Sequence, residues 1–155
     1  ARGHLPGAVH IGKGVIERVG WFDPRLDVGA AGCSGDSEMW YRILHAGGTI
    51  RYEPAAVLSH FHRPDADGLS RQVQAYMSGH TAALLVQFER TGDVGNLVRL
   101  IGPLPYFFLK RAARAALKRR PTPHLRAAIR GCFQGIGYYR RAPKAAAFPD
   151  RTAGT

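Results

Sequence analysis

Residues 32–63 read GCSGDSEMWYRILHAGGTIRYEPAAVLSHFHR, and their pattern sets out loop, helix, strand, turn and strand in that order. Met39, Trp40, Ile43 and Leu44 recur at helical spacing, and at 100° per residue Asp36 falls in the middle of their stripe. The pattern predicts a helix that opens at Asp36 with the carboxylate facing inward. A helix N-terminus presents unpaired N–H groups and about half a positive charge, which can keep such a carboxylate ionised in a partly dry place. Two uses stay open at this point: simple capping, for which Ser34, Gly35, Asp36 and Ser37 all have suitable chemistry, and proton acceptance as a general base.

Gly47 and Gly48 predict the end of the helix through a left-handed C-cap. Residues 49–53 then alternate as a short strand that Pro54 stops, and residues 57–62 read as a second strand. Side chains two apart share a strand face, so His60 and His62 point together and can meet one metal ion. Zinc requires three or four ligands, and the positions of His4, His10, His45, His80 and His124 show no spacing that supplies the rest. An ordinary hydrogen-bonded histidine pair is the alternative.

Upstream of this stretch, residues 8–11 read as a strand, and Val15, Ile16 and Val19 form the inner side of a short amphipathic helical turn that Gly20 ends. Trp21-Phe22-Asp23-Pro24 follows as an exposed turn. Its two aromatics either stack on a sugar ring or close the core, and core burial is the commoner use. Downstream, residues 69–90 read as one long helix with Leu69, Val73, Tyr76, Met77, His80, Leu84 and Phe88 on its apolar face. Gly79 inside that helix costs about 1 kcal/mol relative to alanine, so either a neighbour packs close there or the helix bends.

The chain's 155 residues and 45% apolar content suffice for one domain with a core. Its charge is unevenly placed. Residues 1–93 carry nine Lys and Arg against ten Asp and Glu, whereas residues 94–155 carry thirteen against one, so the net +11 belongs to the tail. Such asymmetry points to a polyanionic partner, a membrane surface or nucleic acid. Cys33 and Cys132 have no C-x-x-C spacing, which suggests neither a metal ribbon nor a disulfide framework and fits a reducing cytosol.

Within the tail, residues 97–109 are mostly apolar but contain Arg99, Pro103 and Pro105. Even fully helical they would reach roughly 20 Å, short of the ~30 Å hydrocarbon core. Residues 106–120 separate on a helical wheel. Phe108, Leu109, Ala112, Ala113, Ala116 and Leu117 lie on one side, with Lys110, Arg111, Arg114 and Lys118 on the other, the pattern of a helix lying in a membrane interface. Thr122 and Pro123 predict the start of a further helix in which Leu125, Ala128, Ile129 and Cys132 oppose Arg126 and Arg130. Gly131-x-x-x-Gly135 can let helices pack closely.

Several pieces of the chain stand in an order that resembles family 2 glycosyltransferases. That family shows a run like G-x-F-D-x-x-L, an acidic E-D pair opening a helix that contains Y-R, then a small residue with Gly, then Y-x-P, then H-x-H-R. Here the counterparts are Gly20-Trp21-Phe22-Asp23-Pro24-Arg25-Leu26, Gly35-Asp36, Tyr41-Arg42, Ala46-Gly47, Tyr52-Glu53-Pro54 and His60-Phe61-His62-Arg63. Each piece alone is common; their order and compatible gaps carry the resemblance. It implies that Asp36 is the general base for an acceptor hydroxyl, that Trp21, Phe22, Asp23, Trp40 and Arg42 lie on the acceptor side, and that His60 helps to hold a divalent metal. Gly35 departs from the pattern, standing where the family has glutamate, and so removes one carboxylate from acceptor positioning. No Q-x-x-R-W run of the processive polymerases is found.

The expected fold is α/β, the C-terminal part of a GT-A (Rossmann-like) domain followed by amphipathic helices. Residues 1–92 form its acceptor-side half, 93–144 a basic helical tail, and 145–155 a disordered end. The expected function is sugar transfer from a nucleotide-sugar donor to a hydroxyl of a glycan or lipid-linked acceptor. The chain enters the family pattern in mid-fold, so the donor-binding half and most ligands of the metal, Mg2+ or Mn2+, would belong to a longer protein. Residues 97–141 would meet an anionic membrane from its cytoplasmic, inner face. The alternative is a basic helical module that binds nucleic acid without catalysis, a class in which interleaved aromatics or a recognition helix would be usual.

Overall fold

The computed structural model describes residues 2–6, 11–51, 54, 57–61, 66–119 and 121–143. Helix α1 spans Lys13–Val19, α2 Gly35–His45, α3 Ala66–Thr91, α4 Val94–Ile101, α5 Pro103–Lys118 and α6 Leu125–Arg141. Two strands, β1 (Arg2–Pro6) and β2 (Val57–Phe61), pair antiparallel in the register Arg2 to Phe61 and Pro6 to Val57. The expected α/β fragment is therefore overturned. Among the described residues there is no parallel sheet, only this two-stranded ladder, and the core lies between helices. Residues 49–51 are not strand, while 8–10, 52, 53 and 62 lie outside the described residues.

The physical reason is the kind of face that α3 offers. Its buried positions are Gly68, Ser78, Gly79, Thr81, Ala82, Ala83, Leu84, Val86 and Gln87, mostly small side chains. Of the larger residues expected on its inner face, Leu69, Tyr76 and His80 are exposed and only Leu84 is deeply buried. Small residues let backbones approach, and approach wins over bulk here. Gly131 and Gly135 of α6 rest on the backbone of α3 at Gln74 and Ser78, so close that a methyl group at either would collide with it. Gly79 meets Cys33 from the other side, where an added Cβ would lie 2.6 Å from the Cys33 nitrogen. Of the two uses open to Gly79, close packing is the one observed.

Contacts between α3 and α6 ascend together. His124 at the start of α6 meets Ser70 at 2.7 Å, Gln134 accepts from Gln74 at 2.9 Å, and Tyr138 and Tyr139 pack on the cluster of Leu26, Ala31, Ala82, Ala83 and Val86. The two helices thus run parallel, and a parallel pair needs a long return. α4 and α5 supply it, covering about 36 Å at 1.5 Å per residue against about 39 Å for α3. Gly102 breaks the return into two helices, and Pro103 starts α5 at a position where a missing N–H is harmless. A second small core of Val19, Met39, Ile43 and Ala46 joins α1 to α2. Residues 145–155 lie outside the described residues.

Candidate functional site

α2 and the turn before it form one unit through a single side chain. Arg42 is fully buried, and its guanidinium donates to the carbonyls of Val19, Gly20 (3.4 Å) and Trp21 (2.9 Å). A planar fork with five donors suits such a set of carbonyls, where a lysine would not. Its charge is met by Glu38, one helical turn earlier and equally buried. Arg42 Nε lies 2.7 Å from Oε1 and 2.9 Å from Oε2, with the aligned bond to Oε2. Burial raises the Glu38 carboxyl above its ordinary value, and the hydrogen bond and charge of Arg42 pull against that rise.

Asp23 anchors the turn from the other end. It accepts from the Arg25 backbone nitrogen at 2.9 Å, from Arg25 Nε at 3.0 Å and Nη2 at 2.8 Å, and from Arg90 Nη2 on α3 at 2.8 Å. Burial raises this carboxyl, yet the hydrogen bonds from Arg25 and Arg90 outweigh it and leave it well below the usual carboxylate range. Arg25 also reaches Glu89 at 3.1 Å. Of the residues expected on the acceptor side, Asp23 and Arg42 are therefore turned inward and occupied in holding the turn.

What that turn presents outward is aromatic. Trp21 is 76% exposed and Phe22 44% exposed, so the core use preferred for these two rings is not the one observed. Their backbone is tied down by Arg42 and Asp23 while the rings stand in solvent. Trp40 is half-buried on α2.

Asp36 is exposed rather than inward. The buried side of α2 is Gly35, Glu38, Met39, Arg42 and Ile43, continued by Ala46, so the stripe is turned away from Asp36, Trp40 and Leu44. The expected stripe left out Glu38 and Arg42, but opposite charges in direct contact, with the guanidinium also held by carbonyls, can occupy buried positions. Capping of α2 also falls to another residue. Asp27, with φ 73°, accepts from the Gly35 nitrogen at 2.8 Å across eight residues, and Ser34 makes no capping bond. Asp36 instead accepts from the Ser37 nitrogen at 2.7 Å and from its hydroxyl at 3.3 Å. Its carboxylate stands open in the first turn of α2, about 9 Å along the axis from Arg42.

Sequence reasoning missed Asp27, Glu38, Glu89 and Arg90. Glu38 and Arg42 stand four apart, a visible ion-pair spacing, but nothing local tells that Arg90 closes on Asp23 from 67 positions away. His60 lies in β2 opposite Gly3; its side chain, like His62, lies outside the described residues. Among the described residues no group of three His, Cys, Asp or Glu could hold a metal ion. A surface depression of about 350 Å3 between Pro24, Arg25, Tyr138 and Arg141 does not include Asp36. Comparison with protein-family models, with curated proteins and with solved structures returns no match.

Proposed function

We propose that this chain supplies the acceptor side of a sugar-transfer reaction, with Asp36 as the general base. The observation that carries the reading is the exposure of Asp36: Asp27 binds the Gly35 nitrogen, and the Asp36 carboxylate, held by Ser37 through one oxygen, faces solvent at a helix start. The ordered motifs support it, since Arg42 binds the Gly-Trp-Phe-Asp turn to the helix bearing Asp36. In the reaction, Asp36 takes the proton of an acceptor hydroxyl as that oxygen forms a bond to the anomeric carbon. The bond from that carbon to the diphosphate breaks, and the nucleoside diphosphate leaves with the electron pair. Trp21 and Phe22 offer apolar faces on which an acceptor sugar can stack. Donor binding falls to polypeptide other than the described residues.

The test is transfer from a panel of nucleotide sugars by the natural polypeptide that contains this chain, beside its Asp36→Asn variant. General-base loss lowers turnover by about 10²–10⁴-fold, with donor binding and thermal unfolding unchanged. Undiminished turnover by Asp36→Asn, or no sugar nucleotide consumed by the unsubstituted protein, overturns the proposal.

A further inference from the structure

The return arm between the two parallel helices buries almost nothing. α5 has no buried residue, and α4 has only Asn96. Leu104, Phe108 and Ala115 are half-buried and mark the side of α5 turned to the bundle. On a helical wheel the opposite side carries Tyr106, Leu109 and Leu117, exposed by 63%, 69% and 85%. α4 repeats the arrangement with Val94, Val98 and Ile101, one line of apolar residues at 60%, 52% and 75% exposure. A solvated arm would place charge on its outer side. This one carries only Lys110 among the outer apolar residues, its amine 5.7 Å from the Tyr106 ring centroid, and places the rest of its charge on the flank. Arg111, Arg114 and Lys118 border a dent of about 180 Å3 with Pro121 and Thr122, and no Asp or Glu occurs in residues 94–143.

We propose that the α4–α5 arm is a docking surface for an anionic phospholipid bilayer. Its apolar ridge enters the headgroup boundary while Arg111, Arg114 and Lys118 meet lipid phosphates. Charge complementarity selects the occupant: a cationic, carboxylate-free flank beside aliphatic and aromatic side chains matches a surface that is anionic outside and apolar beneath. Nucleic acid would pair with the cations and leave the ridge uncovered. α6 belongs to the bundle, since its small-residue face lies on α3, so the contact narrows to α4 and α5. Docking is peripheral, as no described helix is long and apolar enough to cross a membrane. The inference is independent of sugar transfer.

Sedimentation of the full chain with phosphatidylcholine vesicles, with and without phosphatidylglycerol, tests it across a salt series and beside a duplex DNA control. The expected result is binding to the anionic vesicles that weakens about tenfold as the Debye length shrinks from about 10 Å to about 3 Å, leaving a salt-resistant remainder. Leu109→Asp with Leu117→Asp removes the remainder, and Arg111→Glu with Arg114→Glu removes the salt-sensitive part. All four residues are exposed, so unchanged circular dichroism melts verify that the variants fold. Absence of vesicle binding, equal binding to neutral vesicles, or DNA binding without vesicle binding overturns the proposal.

Discussion

Arg42 and Glu38 are both withdrawn from solvent and face each other one helical turn apart at 2.7 Å, and the same guanidinium holds the carbonyls of Val19 and Trp21. The pair is therefore a joint between α2 and the turn that carries the exposed aromatics. Removing Arg42 leaves the buried Glu38 with only Arg90, 3.8 Å away, as counter-charge, at a cost of up to about 3–5 kcal/mol. Arg42→Met is expected to fall in that range by urea denaturation. Arg42→Lys restores charge but not the fork, and is expected to recover only part of the loss.

Asp23 gives the protein an acid-sensitive element. Its folded carboxyl lies below the unfolded value near pH 4, so its stabilisation is present above that pH and is lost as pH falls through the folded value. Glu38, raised by burial, has the opposite sign: its contribution is present at low pH and lost as pH rises through its folded value. The difference in unfolding free energy between the wild type and Asp23→Asn should be constant from pH 6 to 8 and shrink below about pH 4. A gap that widens in acid would contradict this account of Asp23.

Glycines on one helix are expected to respond with opposite signs. Alanine normally gains up to about 1 kcal/mol over glycine inside a helix, but at Gly135 the new methyl would strike the Ser78 backbone. Gly135→Ala should destabilise by about 1–3 kcal/mol through overpacking. A Cβ at Gly137 would meet only the far end of Arg141, at 3.4 Å, so Gly137→Ala is expected to be neutral or stabilising. Thermal melts of the two variants check the contrast.

α4 is tied to α2 by Tyr41, whose hydroxyl donates to Asp93 at 2.6 Å and accepts from Asn96 at 3.0 Å. Asp93 also caps α4 through the Gly95 nitrogen at 2.8 Å. Tyr41→Phe should speed hydrogen exchange at the amides of Asn96 to Leu100 while leaving those of α3 protected. Uniform acceleration in both helices would show that Tyr41 supports the whole bundle instead.

Trp21 separates acceptor contact from stability. Because its ring is 76% exposed and only its backbone is held, Trp21→Ala should leave the melting temperature unchanged. Within the proposed reaction it should raise the acceptor KM and leave donor KM alone. A lowered melting temperature would place the ring in the core.

Several features were settled by residues close together in sequence. The helical period and flanking glycines located α2, α3 and the amphipathic tail helices, because propensity, capping and periodicity act within a few residues of each position. Charge asymmetry was equally legible, being a property of composition. Which side of each helix lies inside was decided by tertiary contact. In α2 a charge pair took positions that an apolar-only rule assigns to solvent, and Asp36 turned outward. In α3, glycines 57 positions away made the small face the buried one and left Tyr76 and His80 outside. The ion pair between Asp23 and Arg90 and the parallel course of α3 and α6 arise from groups that meet only when the chain closes on itself. Periodicity says that a helix has two sides; which one is buried depends on the shape and charge of what packs against it.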